Sequence, residues 1–175
     1  MLGFNPIADV APLANLTQLI GLDLTHVGLT DVTPLSNLTA LKGLQLAYNE
    51  IEDIGPLANL SELAFLDLMS NQVSDLSPLA DLTNLEEVTL SQNQVVDVTP
   101  LSGLSALVDL RLRSNEIADV VPLASLTNLE RLDLHLNQIT DVSALATLTN
   151  LETLVLGENP LDEFTCPVEP ATICR

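Results

Sequence analysis

Two columns of side chains offer the first chemistry. Asp9, Asp31, Asp53, Asp75, Asp97, Asp119 and Asp141 stand 22 residues apart, and so do Asn49, Asn71, Asn93, Asn115, Asn137 and Asn159. Carboxylates in file suggest calcium. Calcium loops, however, mix Asp with Gly at close spacing, and no such run occurs here. Each Asp stands three residues before a Pro-Leu or Ala-Leu step, where a carboxylate caps a helical turn. The capping reading is preferred, and no metal ligand set is expected. The Asn amides have an equally plain use: each offers a donor and an acceptor to backbone groups buried at a corner. Catalysis finds no support. There is no Ser at a nucleophile elbow, no phosphate loop and no His-Glu-x-x-His. His26 and His135 are too far apart in the repeat to share a metal. Among so many carboxylates, any hydrolytic pair picked out would be arbitrary. Neither enzyme activity nor a cofactor is expected.

Two other groups suit binding. Tyr48, Phe65 and Met69 are residue types that dominate interface hot spots, in a chain with only three Phe, one Tyr and no Trp. Arg111, Arg113 and Arg131, with His135 beside them, gather three of the five Lys and Arg residues. The alternative for the arginines is weak pairing with Asp109, Asp133 and Glu87 across neighbouring strands.

The elements that position these residues follow from the repeat. Leu19, Leu41, Leu63, Leu85, Leu107, Leu129 and Leu151 keep the same phase as the Asp column. Leu24, Leu46, Leu68, Leu90, Leu112, Leu134 and Leu156 do so as well, and Pro12 to Pro122 recur until Ala144 breaks the series. Stepping back from Asn49 gives Val27, an exception, and then Asn5. In Leu44-Gln45-Leu46 the alternation puts both leucines on one side of a short strand. One coil cannot bury its leucines alone, but stacked coils share one aliphatic core. A helical bundle is the competing reading, and the regular Pro argues against long helices. Short 3-10 turns fit after each strand. Seven parallel strands are expected, centred on Asp23, Gln45, Asp67, Thr89, Arg111, Asp133 and Val155, with a partial eighth near Leu2. Outward strand positions then line a concave face, which carries Tyr48, Phe65, Met69, Arg111, Arg113, Arg131 and His135.

With the unit Leu-x-x-Leu-x-Leu-x-x-Asn-x-Ile/Val-x-Asp-Val/Ile-x-Pro-Leu in view, the chain resembles the internalin type of bacterial leucine-rich-repeat protein. The segment Leu126-Thr127-Asn128-Leu129-Glu130-Arg131-Leu132-Asp133-Leu134 is close to that type's consensus. The resemblance implies an α/β fold class: a right-handed solenoid with a curved parallel sheet on its concave face and short 3-10 turns on its convex face. It implies a protein or peptide partner only by class. A structural spacer in a larger surface protein is the alternative.

Composition bounds the rest. The 175 residues are 47% hydrophobic, so a core can form, and it must be aliphatic because aromatics are 2%. With 24 acidic and 5 basic residues the net charge is −19, which repels phosphate backbones and anionic lipid. Nucleic acid is excluded as a general partner, and no apolar run is long enough to insert in a membrane. Residues 1–161 read as repeats, a partial coil and then seven full ones, and residues 162–175 as a capping tail. Phe164 and Ile173 are expected to plug the last coil. Cys166 and Cys174 form a disulfide there or remain free thiols; the disulfide reading implies an oxidising compartment. Met1-Leu2-Gly3-Phe4-Asn5 has no basic or apolar signal-peptide region. A secreted or cell-surface setting is still expected, with the cytoplasm as the alternative. The internalin-type helical N-terminal cap is missing. The first coil is therefore expected to be exposed, either as part of a longer protein or as an edge that a partner contacts.

Overall fold

The computed structural model describes residues 2–5, 7, 9–161, 166–169 and 171–174. Seven strands run through it: β1 Gly21–Asp23, β2 Gly43–Gln45, β3 Phe65–Asp67, β4 Glu87–Thr89, β5 Asp109–Arg111, β6 Arg131–Asp133 and β7 Thr153–Val155. They form one sheet in chain order, every pair parallel. Register advances by one repeat per strand, as in Leu22↔Leu44 and Leu132↔Leu154. The regular strands centre one residue earlier than the sequence suggests, on Leu22 rather than Asp23 and so on in each coil. The inter-strand bonding is longer than the strands themselves. It starts where the Ile20 carbonyl accepts Lys42 and Gly43 N–H, and it runs on through Leu24 N–H to Gln45 and His26 N–H to Ala47. The partial eighth strand is present as bonding, with Leu2 N–H donating to Asp23 at 3.2 Å and Phe4 N–H to Thr25 at 2.7 Å.

Behind the sheet each coil closes through a 3-10 turn, such as Thr33–Leu35, Gly55–Leu57 or Thr99–Gly103. Pro sits in the first turn of six of these turns, from Ala11–Asn15 to Val121–Ser125, where its missing N–H costs nothing. The capping expectation is met by the Asp one residue outside the N-cap, a position that itself holds Val, Ile or Leu. Asp31 accepts Thr33 N–H at 2.8 Å, Asp53 accepts Gly55 N–H at 2.7 Å, and the remaining five of the column bond alike. At Asp31 the Thr33 side chain and then its N–H hold the carboxyl below its ordinary value. At Asp75 the Ser77 N–H and then its hydroxyl do the same.

Leucines in the inward columns are fully buried through the middle coils, among them Leu38, Leu41, Leu44 and Leu46. The Asn column fastens coil to coil. Asn71 donates to the Leu68 carbonyl of its own coil and to Leu46 of the coil before, and its oxygen accepts Ile51 N–H. Asn49, Asn93, Asn115, Asn137 and Asn159 repeat the pattern. Val27 has no amide to offer the first coil.

The two ends differ. At the first coil Leu16 is 47% exposed where its counterpart Leu38 is fully buried, and Ile20 is 62% exposed. At the other end Cys174 makes a parallel bridge to Leu154, Val168 is buried, and Ile173 packs against the core. Cys166 and Cys174 form a disulfide with Cα atoms 5.8 Å apart. Phe164, expected to join this plug, lies outside the described residues. Among the described residues no helix is long and apolar enough to cross a membrane.

Candidate concave-face binding site

Strand residues that do not enter the core line the concave face, and the turn after each strand forms its rim. The rim has an unanticipated feature. Phe4, His26, Tyr48, Ser70, Gln92, Ser114, Leu136 and Glu158, one per coil, all adopt positive φ between 52° and 60°. That left-handed turn projects their side chains along one border of the face. Phe4 and His26 therefore join Tyr48 in one row, with the Phe4 and His26 ring centroids 5.9 Å apart. The three line a concavity of about 480 Å³ that also includes Asn5, Gly28, Asn49 and Glu50. The sequence pattern puts His26 on this face without assigning it to a binding cluster, and Phe4 was missed, although the repeat phase that places Tyr48 places both.

Tyr48 is 48% exposed, and its hydroxyl lies 3.8 Å from the Met69 sulfur of the next coil. The expected pairing of Tyr48 with Met69 is thus a direct contact. Phe65, expected to be exposed, is half-buried on β3, between Gly43 and Glu87 in register. Ala47 and Ser91 share the repeat position of Met69 and Arg113 but are buried, their small side chains being covered where the longer ones reach out.

The arginines are organised by one acid. Asp109 is 4% exposed on β5. Its two oxygens accept Arg111 Nε at 3.1 Å and Arg111 Nη2 at 2.9 Å, and the second also accepts Arg131 Nε at 2.9 Å. Burial pushes the Asp109 carboxyl up, but the two guanidinium groups together outweigh it and hold the carboxyl below its ordinary value. Of the acids proposed as alternatives, Asp109 alone makes ion pairs with the arginines among the described residues. The guanidinium groups stay about half exposed, with side-chain exposures of 53% and 48%, so the acid fixes them without hiding them. Arg113 is exposed, and among the described residues it makes no ion pair. His135 is half-buried, and its Nδ1 would stand 2.9 Å from a Cβ on Gly157, so the glycine makes room for the ring. Two strands separate Phe65 on β3 from Arg111 on β5, about 10 Å at ordinary strand spacing. Asp67, half-buried between these clusters, is pushed up by burial, partly offset by the Met69 N–H and the Arg111 charge.

Residues 39–81, 61–105, 105–147 and 127–166 match the family model of leucine-rich repeats in two copies. Internalin C2 of Listeria monocytogenes aligns at 36% identity and a TM-score of 0.84, covering 93% of this chain and 71% of that one. Internalin F of the same organism aligns at 32% identity and a TM-score of 0.74, covering 90% of this chain and 60% of that one. A leucine-rich-repeat protein of Leptospira interrogans aligns at 25% identity and a TM-score of 0.72, over 91% of this chain and 46% of its own length. No curated protein sequence matches the chain.

Proposed function

This chain belongs to the internalin-type leucine-rich-repeat proteins, and from that premise we propose that it is a binding module whose concave face grips a protein or peptide. One observation carries the reading. Of the three Phe and one Tyr in the chain, Phe4, Tyr48 and Phe65 all lie on the concave face or its rim, whereas among the described residues every buried core side chain is aliphatic. Aromatic residues on a face that needs none for packing suit a hot spot. Tyr48, Phe65 and Met69 serve as apolar anchors. Arg111, Arg113, Arg131 and His135 supply charge selectivity, with Arg111 and Arg131 pre-positioned by Asp109. The reading assigns residues 1–161 to the repeats and 162–175 to a capping tail, and it involves no catalysis. The Cys166–Cys174 disulfide favours an oxidising setting, secreted or at the cell surface, over the cytoplasm. The exposed first coil is a second contact region.

Affinity capture at two salt concentrations, followed by calorimetry on the captured partner, tests this. Phe65→Ala should cost about 2 kcal/mol of binding and leave the melting temperature nearly unchanged. Arg113→Glu should weaken binding most at low salt. It is a cleaner probe than a change at Arg111, which Asp109 needs. Parental affinity in both variants sinks the concave assignment and favours the convex face or the first coil, and capture of no partner favours the spacer role.

A further inference from the structure

Gly21 and Gly43 occupy a place on the sheet where the next three strands carry Phe65, Glu87 and Asp109. The fold does not ask for glycine at either position. Among the described glycines only Gly28 has positive φ. A Cβ on Gly43 would meet nothing within 4 Å, and one on Gly21 would meet only the Gly43 carbonyl oxygen, at 4.0 Å. Glycine inside a strand costs stability and commonly marks the close approach of a ligand. Here the two together open a hollow of about 260 Å³, lined by Gly21, Leu22, Asp23, Gly43, Gln45 and Phe65.

The hollow has a definite chemistry. Phe65 forms an aromatic wall at one end. Asp23 and Gln45 line one side of it, and Asp67 stands next in register beyond Gln45. One Asp23 oxygen accepts Thr25 N–H at 3.0 Å, and neither Asp23 nor Asp67 makes an ion pair among the described residues. Lys42 is the one Lys or Arg that precedes Arg111 in the chain. We propose that this hollow receives one cationic side chain, Lys or Arg, of the bound protein or peptide. The aliphatic stem fills the space over the glycines, the cation lies against the Phe65 ring, and its N–H groups donate to the Asp23 carboxylate. Asp23 is the better anchor of the two acids because Arg111 stands two strands from Asp67 and four from Asp23. The face is then bipolar, accepting a cation near β1–β3 and a carboxylate near Arg111–Arg131. A ligand must span both ends in one direction, about 19 Å or roughly six extended residues from β1 to β5.

This inference rests on the concave-face reading, and its test is separable from that one. The ¹⁵N-labelled chain is titrated with N-acetyl-arginine amide, with N-acetyl-glutamine amide as the neutral control. Saturable shifts are expected at the Gly21, Gly43 and Phe65 amides, at about millimolar affinity as befits a single small group. Gly43→Leu, which fills the hollow, and Asp23→Asn should each weaken them at least about fivefold, and the spectra themselves report whether the variants fold. Shifts that follow every surface acid without saturating, or that persist in Gly43→Leu, overturn the proposal. Sedimentation of the chain alone should show a monomer; a dimer dispersed by Gly43→Leu would give the hollow to a second copy's arginine and overturn the assignment to a partner. Capture that depends on Phe65 but not on Gly43 removes the cation hollow and leaves the concave-face reading standing.

Discussion

Asp67 and Asp109 show how neighbouring carboxylates on one face come to opposite ends. Asp109 is covered and doubly paired; Asp67 is half-buried with one N–H and a distant positive charge. An acid raised in the folded state favours folding while protonated, and that contribution is lost as pH rises through its folded value. Ionised Asp67 is therefore a net cost near neutrality. Asp67→Asn keeps an acceptor for Met69 N–H and should raise the melting temperature at about pH 7. The gain should vanish at about pH 3, where both forms are uncharged. Thermal melts at the two pH values check this, and an equal gain at both would assign the effect to something other than charge. Asp109, lowered by its arginines, contributes stability above the ordinary carboxylate range and loses it as pH falls through its folded value. Asp109→Ala should cost about 1 kcal/mol, held down by the exposure of both guanidinium groups, and denaturant melts read it directly.

The elements were legible because each one is written seven times. A single Leu-x-Leu strand of three residues carries little signal, but the same step at Leu44, Leu66 and Leu110 fixes strand, register and inward face together. Capping by the Asp column was legible for the same reason: a carboxylate two residues before an N–H needs only local geometry. The rim was not. Its left-handed residues include Phe4, Tyr48, Gln92 and Leu136, types that give no sign of positive φ. Nor was the choice of Asp109 over Asp133 and Glu87 as arginine partner, since alternation places all three near the same face and rotamers decide the rest. The inward and outward columns can be separated by experiment. Leu90→Ala removes a fully buried side chain from a middle coil and should cost about 2–5 kcal/mol. Thr89→Ala, one residue away on the concave face, should cost about 0.5 kcal/mol or less. Equal denaturation midpoints would mean the faces had been exchanged.

At the scale of the whole molecule, a net charge of −19 is carried on one curved body. Two ion pairs among the described residues cannot offset it. Like charges repel in the compact state, so the melting temperature should rise as salt goes from about 10 mM to about 150 mM and then level off, as the screening length falls below about 10 Å. A fall over that range would show that the Asp109 pairs outweigh the general repulsion.

The Asn corners also give the solenoid a direction in time. Each amide bonds its own coil and also reaches backward, from Asn71 to Leu46 and Ile51 and from Asn159 to Leu134 and Ile139, so a coil's corner is fully bonded only when its successor is in place. At the last of the described coils Leu161 N–H, in the place of Ile139, donates to the Asn159 carbonyl. A chain leaving the ribosome therefore latches each turn only when the next Asn has emerged, one repeat behind the growing end. Shortening the array from its C-terminal side strips the latch from the new last coil; shortening it from the N-terminal side leaves every remaining latch closed.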